Sequence, residues 1–186
     1  MAASTFQQFV DQLVADNQPE RPLPPIAKWN PPLSGKMDLV IARDGTWYHE
    51  GTAFERQSLV KLFASILRRE GDDYFLLTPV EKWQITVEDA PLLVNGCEIV
   101  QREGQQAIIF TTYTEDTVLL GPDNPLRVTV NQETSEPSPY VLVRSNLEAR
   151  ISRSVYYQLV EYACESVVDG KPSYVVTSMD TEFVIG

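Results

Sequence analysis

Apolar side chains recur at Phe6, Phe9, Val10, Leu13 and Val14, the spacing of a one-sided amphipathic helix. Ser4 or Thr5 stands ready to cap it, and Pro19 ends it. The run "PERPLPPIAKWNPPL" that follows carries prolines at 19, 22, 24, 25, 31 and 32 and predicts an extended arm. Leu23, Ile26 and Trp29 would pin such an arm to a surface; service as a ligand for a proline-recognition domain is the alternative. Two β-prone runs, "DLVIAR" and "TWYHEG", flank Asp44-Gly45, the signature of a hairpin with a two-residue type I′ turn. Thr52 and Glu55 then have the spacing of a capping box. Leu59, Leu62, Phe63, Ile66 and Leu67 supply a buried helical stripe, Arg68 and Arg69 complement its C-terminal dipole, and Gly71 closes it. "YFLLT" and "WQITVE" predict a second strand pair joined through "PVEK".

The same order returns near the C-terminus. Slid by 100 positions, Leu59, Val60, Tyr74 and Ile85 fall on Leu159, Val160, Tyr174 and Ile185, and "DLVIARDGTW" falls on "PYVLVRSNLE" one residue further along. Two β-β-α-β-β units are expected, with residues 38–86 and 139–185 superposable. Residues 92–132 read as strands separated by turns at "REGQ" and "GPDNP". The fold class is therefore α+β. It comprises an N-terminal helix and proline arm (1–37), a first unit (38–90) and a strand-rich domain (91–186) forming an extended antiparallel sheet or roll with a helix.

Charge narrows the partners. The chain of 186 residues has a net charge of −11, with nine basic and thirteen acidic residues up to position 90 and six against thirteen afterwards. No basic stripe is present for a nucleic-acid polymer, whose phosphates demand one; a local cation cluster for a small anion is still compatible. The N-terminus lacks a basic n-region and an uninterrupted apolar stretch, and no run reaches the ~20 apolar residues of a membrane span. A cytoplasmic protein is the expectation, with Cys97 and Cys164 as buried free thiols.

Candidate chemistry is sparse. The dinucleotide fingerprint, the P-loop and the nucleophile elbow are all missing, and one histidine with two scattered cysteines offers no familiar zinc set. No catalytic residue, metal ligand or cofactor is assigned. Two stretches stand out. In "DGTWYHEG", strand alternation puts Trp47 and His49 on one face. That face is either a core wall or an open plate with a switchable hydrogen-bonding group. In "TPVEKW", a proline-shaped turn presents Glu81 and Lys82 beside Trp83. Arg56, Lys61 and Lys82 are the cations expected near the hairpin. At the corresponding places the second unit carries Glu148 and Arg150, so the two units differ in chemistry at this strand.

The D-G-x-W-x-H-x-G, L-V-x-L-F and T-P-V-E-K elements, concentrated in residues 38–91, resemble the bacterial domain-of-unknown-function family numbered 1285. The resemblance implies a duplicated core and a C-terminal domain superficially like pleckstrin-homology folds. It also implies a cleft between domains for a nucleotide-like ligand, and a role in signal transduction. The leading expectation is a non-enzymatic small-molecule-binding protein, its site between the two units and lined by Trp47, His49, Arg56, Lys61, Glu81, Lys82 and Trp83. A protein–protein interaction adaptor is the alternative, and an enzyme the third reading.

Overall fold

The computed structural model describes residues 22–186; the amphipathic helix expected over Phe6–Val14 lies outside the described residues. The chain divides into two compact units, Met1–Asp89 and Ala90–Gly186. It is an α+β protein, mostly sheet, with two α-helices among the described residues.

In the first unit the strands are β1 (Leu33–Ile41), β2 (Trp47–His49) and β3 (Thr52–Ala53), then, after helix α1 (Gln57–Ser65), β4 (Leu67–Glu70), β5 (Asp73–Leu77) and β6 (Lys82–Val87). They form one six-stranded sheet in the order β3-β2-β1-β6-β5-β4. All neighbours are antiparallel except β1 and β6, which run parallel. Leu39, Ile41, Ile66, Leu67, Leu76 and Leu77 are fully buried, and each contributes on the order of 1.5–3 kcal/mol to the fold.

Two local expectations fail here. Ile66 and Leu67 are buried as expected, but the helix has already ended: the Ser65 hydroxyl donates to the Leu62 carbonyl at 2.6 Å, and Ile66 is the C-cap. Arg68 and Arg69 therefore lie on β4 and not at a helix end, and Gly71 (φ 62°) turns β4 into β5. The described part of the proline segment makes a short 3-10 turn at Ile26–Lys28 with no buried residue, and Leu23, expected to pin the arm, is exposed. Arg68 donates to the Trp29 carbonyl at 2.8 Å, and Pro31 is buried. From Leu33 the former arm is already strand.

The second unit contains β7 (Leu92–Arg102), β8 (Gln105–Thr112), β9 (Thr117–Leu119), β10 (Leu126–Val130), β11 (Pro137–Arg144) and β12 (Leu147–Ile151). Helix α2 (Arg153–Glu161) leads to the meander β13 (Cys164–Val168), β14 (Lys171–Ser178) and β15 (Thr181–Val184). Strands β7–β12 form a sheet ordered β10-β11-β12-β7-β8-β9, and the meander is a separate three-stranded sheet. The larger sheet is not wholly antiparallel, because β12 and β7 run parallel. Glu103 and Gly104 both have positive φ (54° and 81°), a type I′ turn at the expected "REGQ". The buried Ser178 hydroxyl joins the sheets, donating to the Leu120 carbonyl at 2.7 Å and accepting the Ile108 N–H at 3.0 Å.

Hairpin, helix and meander thus follow one another in both units, but their pairing differs. In the first unit the last meander strand lies beside β1; in the second the meander stands alone and β12 takes β7 as its parallel neighbour. The overlay by 100 positions also sets buried Val60 against exposed Val160. Each helix is followed by three strands and not the expected two, and residues 38–86 and 139–185 do not share one strand pairing. The thiols differ as well: Cys97 is half-buried and Cys164 exposed. Burial, and then neighbouring Glu98, push the Cys97 thiol up to about 11.

Candidate functional site

The hairpin loop closes through Ala42, whose N–H donates to the Thr46 carbonyl (2.8 Å) and whose carbonyl accepts the Gly45 N–H (2.9 Å). Gly45 has φ 87° and Asp44 does not have positive φ. The loop is consequently a three-residue turn with a glycine bulge, not the expected two-residue type I′ turn. The Asp44 carboxylate accepts the Thr46 N–H at 2.9 Å, which holds its pKa below the usual carboxylate range.

The type I′ turn comes one strand later, at Glu50 (φ 49°) and Gly51 (φ 75°), and folds Thr52 back against His49. This explains why Thr52 and Glu55 make no capping box. Thr52 and Ala53 are committed to strand pairing, and α1 begins only at Gln57. Its N-cap is Arg56, in extended conformation (φ −96°, ψ 109°), with no side-chain cap hydrogen bond.

The rings around the hairpin form a series from core to surface. Trp47 is 3% exposed and stacks on Phe63 of α1, with centroids 6.4 Å apart. Phe63 meets Phe54 at 5.5 Å, and Phe54 stacks with the exposed His49 at 6.4 Å and 19° between planes. The expectation of a Trp47–His49 plate open to a ligand is therefore corrected: Trp47 is a core residue. The pair at the edge is exposed His49 with half-buried Phe54. Phe54 was not singled out in the sequence, where it sat inside the supposed capping box; its apolar character just beyond the Glu50-Gly51 turn was the available signal.

The second stretch lies elsewhere. Ile41 pairs with both Trp47 and Val87, so Val87, Ile85 and Trp83 share the face of Trp47, while Lys82 and Gln84 point to the opposite face. There the Lys82 ammonium donates to Glu70 at 3.0 Å and lies 4.9 Å from the Phe75 ring centre. Arg68 bonds the other Glu70 oxygen. Partial burial pushes the Glu70 pKa up, but the bonds from Lys82 and Arg68 outweigh this and hold it below the ordinary 4.5. Lys82 thus belongs to an ion-pair cluster and does not join the His49 edge.

Thr78 organises the "TPVEKW" turn, its hydroxyl accepting the Glu81 N–H at 2.9 Å. Glu81 accepts the Trp83 indole N–H at 3.4 Å, and the Trp83 ring lies so close to Gly35 that a Cβ there would approach it to 3.2 Å. Glu81, Lys82 and Trp83 are accounted for by structure. Arg56 is exposed at the start of α1 and Lys61 is half-buried one turn further on. Among the described residues no group of three His, Cys, Asp or Glu side chains is arranged to hold a metal ion. No helix among them is long and apolar enough to cross a membrane.

Family models match both units. Residues 24–90 match "Domain of unknown function (DUF1285), N-terminal domain", and residues 91–185 match "Protein of unknown function (DUF1285), C-terminal domain". The chain is 39% identical to a DUF1285 family protein from Silicibacter pomeroyi DSS-3, with a TM-score of 0.81 and 92% of each chain covered. A DUF1285 family protein from Shewanella baltica OS155 is 30% identical with a TM-score of 0.53, over 67% of this chain and 91% of that one. Among curated proteins nothing matches.

Proposed function

Because this chain belongs to the DUF1285 family, whose models describe its function as unknown, we propose a function from the site itself: binding of a small, nucleotide-like ligand at the His49–Phe54 edge of the first unit, without turnover. One observation carries this reading. An exposed imidazole is held parallel to a phenyl ring, directly ahead of a helix start that no side chain caps and that Arg56 occupies. A planar base stacks on such rings, while a phosphate is favoured by the partial positive charge of the helix start and by Arg56 and Lys61. Glu50 and Glu55 oppose it with like charge, so the cations must outweigh two carboxylates. A monophosphate or diphosphate fits that balance better than a triphosphate.

A signal-transduction role, in which binding itself is the output, belongs to the same reading and is supported by the lack of any nucleophile or P-loop motif in the sequence. A common origin of the two hairpin–helix–meander segments is supported by their shared element order. The strand-rich second unit with its single described helix supports a pleckstrin-homology-like description of that part.

Thermal-shift measurements with AMP, ADP, GMP and GDP test the proposal. Stabilisation by at least one of them, lost in His49→Gln and in Phe54→Leu, supports it. No stabilisation by any, or equal stabilisation of wild type and both variants, would refute it.

A further inference from the structure

Exposed large apolar side chains gather on the last third of the chain. Tyr157, Val160, Tyr162, Val167, Tyr174 and Val184 are all at least 39% exposed. Two of them, Val160 and Tyr174, line an open groove of about 250 Å³ between α2 and the meander, with Tyr156, Val160 and Ala163 on one side and Tyr174, Ile185 and Gly186 on the other. Tyr156 and Val160 lie on one face of α2, and Ala163 follows just beyond its C-cap. The walls are locked together: the Tyr156 hydroxyl donates to the Ile185 carbonyl at 2.7 Å, and the Ile185 N–H donates to the Tyr174 carbonyl at 2.8 Å. The groove is therefore built and does not depend on a partner for its shape.

Its border is acidic. Glu165 is the direct cross-strand partner of Tyr174 and accepts its hydroxyl at 3.4 Å, which places a carboxylate at the groove mouth. Glu161, exposed at the end of α2, directly follows groove-lining Val160 but is turned off the Tyr156–Val160 face. Between Arg153 and Lys171, the stretch that carries both carboxylates, the sequence has no Lys or Arg to balance them. Of the six Lys and Arg in residues 91–186, Arg127, Arg144 and Arg153 are in ion pairs with Glu148, Asp116 and Glu136. Lys171 sits at the far end of β13–β14, and alternation directs it to the face opposite Tyr174. Aromatic faces attract cations by their quadrupole, and carboxylates beside them add to the attraction.

We infer that this groove is a docking site for a protein segment that brings a lysine or arginine flanked by apolar side chains, the cation settling against Tyr174 and Glu165, with Glu161 at the adjoining helix end adding to the negative field, and the apolar neighbours against Val160 and Ala163. Charge complementarity selects this occupant. A second copy of this acidic chain would set like charges together, and an anionic ligand would meet the two carboxylates. The groove belongs to the second unit and does not rest on the ligand proposed for the first.

The test uses the full chain and a fluorescein-labelled amphipathic Lys/Leu peptide, with a Glu/Leu peptide of equal length as counterpart. The basic peptide is expected to bind and the acidic one not to. Tyr174→Ala should weaken binding about fivefold or more, as loss of an aromatic anchor does. Glu161→Gln with Glu165→Gln should weaken it severalfold and flatten its salt dependence. The control is neutralisation of remote carboxylates, Glu115→Gln with Asp123→Asn, which should leave binding within about twofold. All these positions are exposed, so the variants should keep the wild-type unfolding midpoint, and Val160→Gln gives a second test of the groove should Tyr174→Ala lose it. Equal losses from the groove and remote charge variants would overturn the proposal, because attraction would then be diffuse. So would wild-type affinity in both Tyr174→Ala and Val160→Gln, or a dimer in light scattering that Val160→Gln dissolves.

Discussion

Trp47 stacks on Phe63 with ring centroids 6.4 Å apart and 20° between planes, clamping the second strand to the first helix. This contact decides what the hairpin is for. With Trp47 sealed beneath α1, only the far end of the same strand face, at His49, is open to solvent. Removing the indole leaves a cavity that neighbouring strands cannot fill, so Trp47→Ala should destabilise the protein by about 3–5 kcal/mol. His49→Gln should change stability by less than about 0.5 kcal/mol, as surface substitutions do. Urea unfolding of the two variants checks the contrast; similar losses would mean that the imidazole too is structural.

The Glu50-Gly51 turn holds two residues at positive φ with nothing within 4 Å of the position a Gly51 Cβ would occupy. A substitution there meets no clash and reports backbone strain alone. Gly51→Ala should cost about 1–2 kcal/mol, while Glu50→Asn, better suited to this conformation, should stabilise. Equilibrium unfolding measures both. Opposite signs for the two variants are expected.

Glu70 gives a pH signature. Its carboxyl is held below the ordinary 4.5 by Lys82 and Arg68 despite partial burial. A carboxylate with a depressed folded-state pKa stabilises fully above its unfolded value and loses that contribution as pH falls through the folded one. Glu70→Gln should therefore be less stable than wild type at pH 7, and the gap should narrow as pH drops below about 4.5. Because Glu70 is about one-third exposed, the effect is modest; Tm against pH for both proteins shows whether the curves converge.

Strands with clear alternation were legible in the sequence. β1–β2, β5–β6, β7–β12 and β14–β15 follow from apolar periodicity bounded by turns, whereas β4 and β13 were hidden in the helical stripes; the family followed from the D-G-x-W-x-H-x-G and T-P-V-E-K elements. Errors arose where one pattern fits two structures. Thr52 and Glu55 satisfy a capping-box spacing, yet the positive-φ turn before them recruits Thr52 into a strand. The stripe from Leu59 to Leu67 suits a longer helix, but Ser65 bonds back to Leu62 and the chain turns into β4 with Ile66 and Leu67 still buried. The parallel pairings β1–β6 and β12–β7 join residues far apart in sequence, and no local signal specifies them. The site was half legible: His49 stood out by composition, whereas alternation could not say that Trp47 faces the core or that Phe54 replaces it at the edge.

The account's central claim is that the His49–Phe54 edge receives a nucleotide-like ligand. Titration of the isotope-labelled protein with AMP, ADP, GMP and GDP, followed by amide and aromatic NMR shifts, tests it most directly. The account predicts saturable shifts centred on His49, Phe54, Arg56 and the first turn of α1, which vanish in His49→Gln while Trp47 and Lys82 stay unmoved. Saturable shifts centred elsewhere, or none with any of the four, would contradict it.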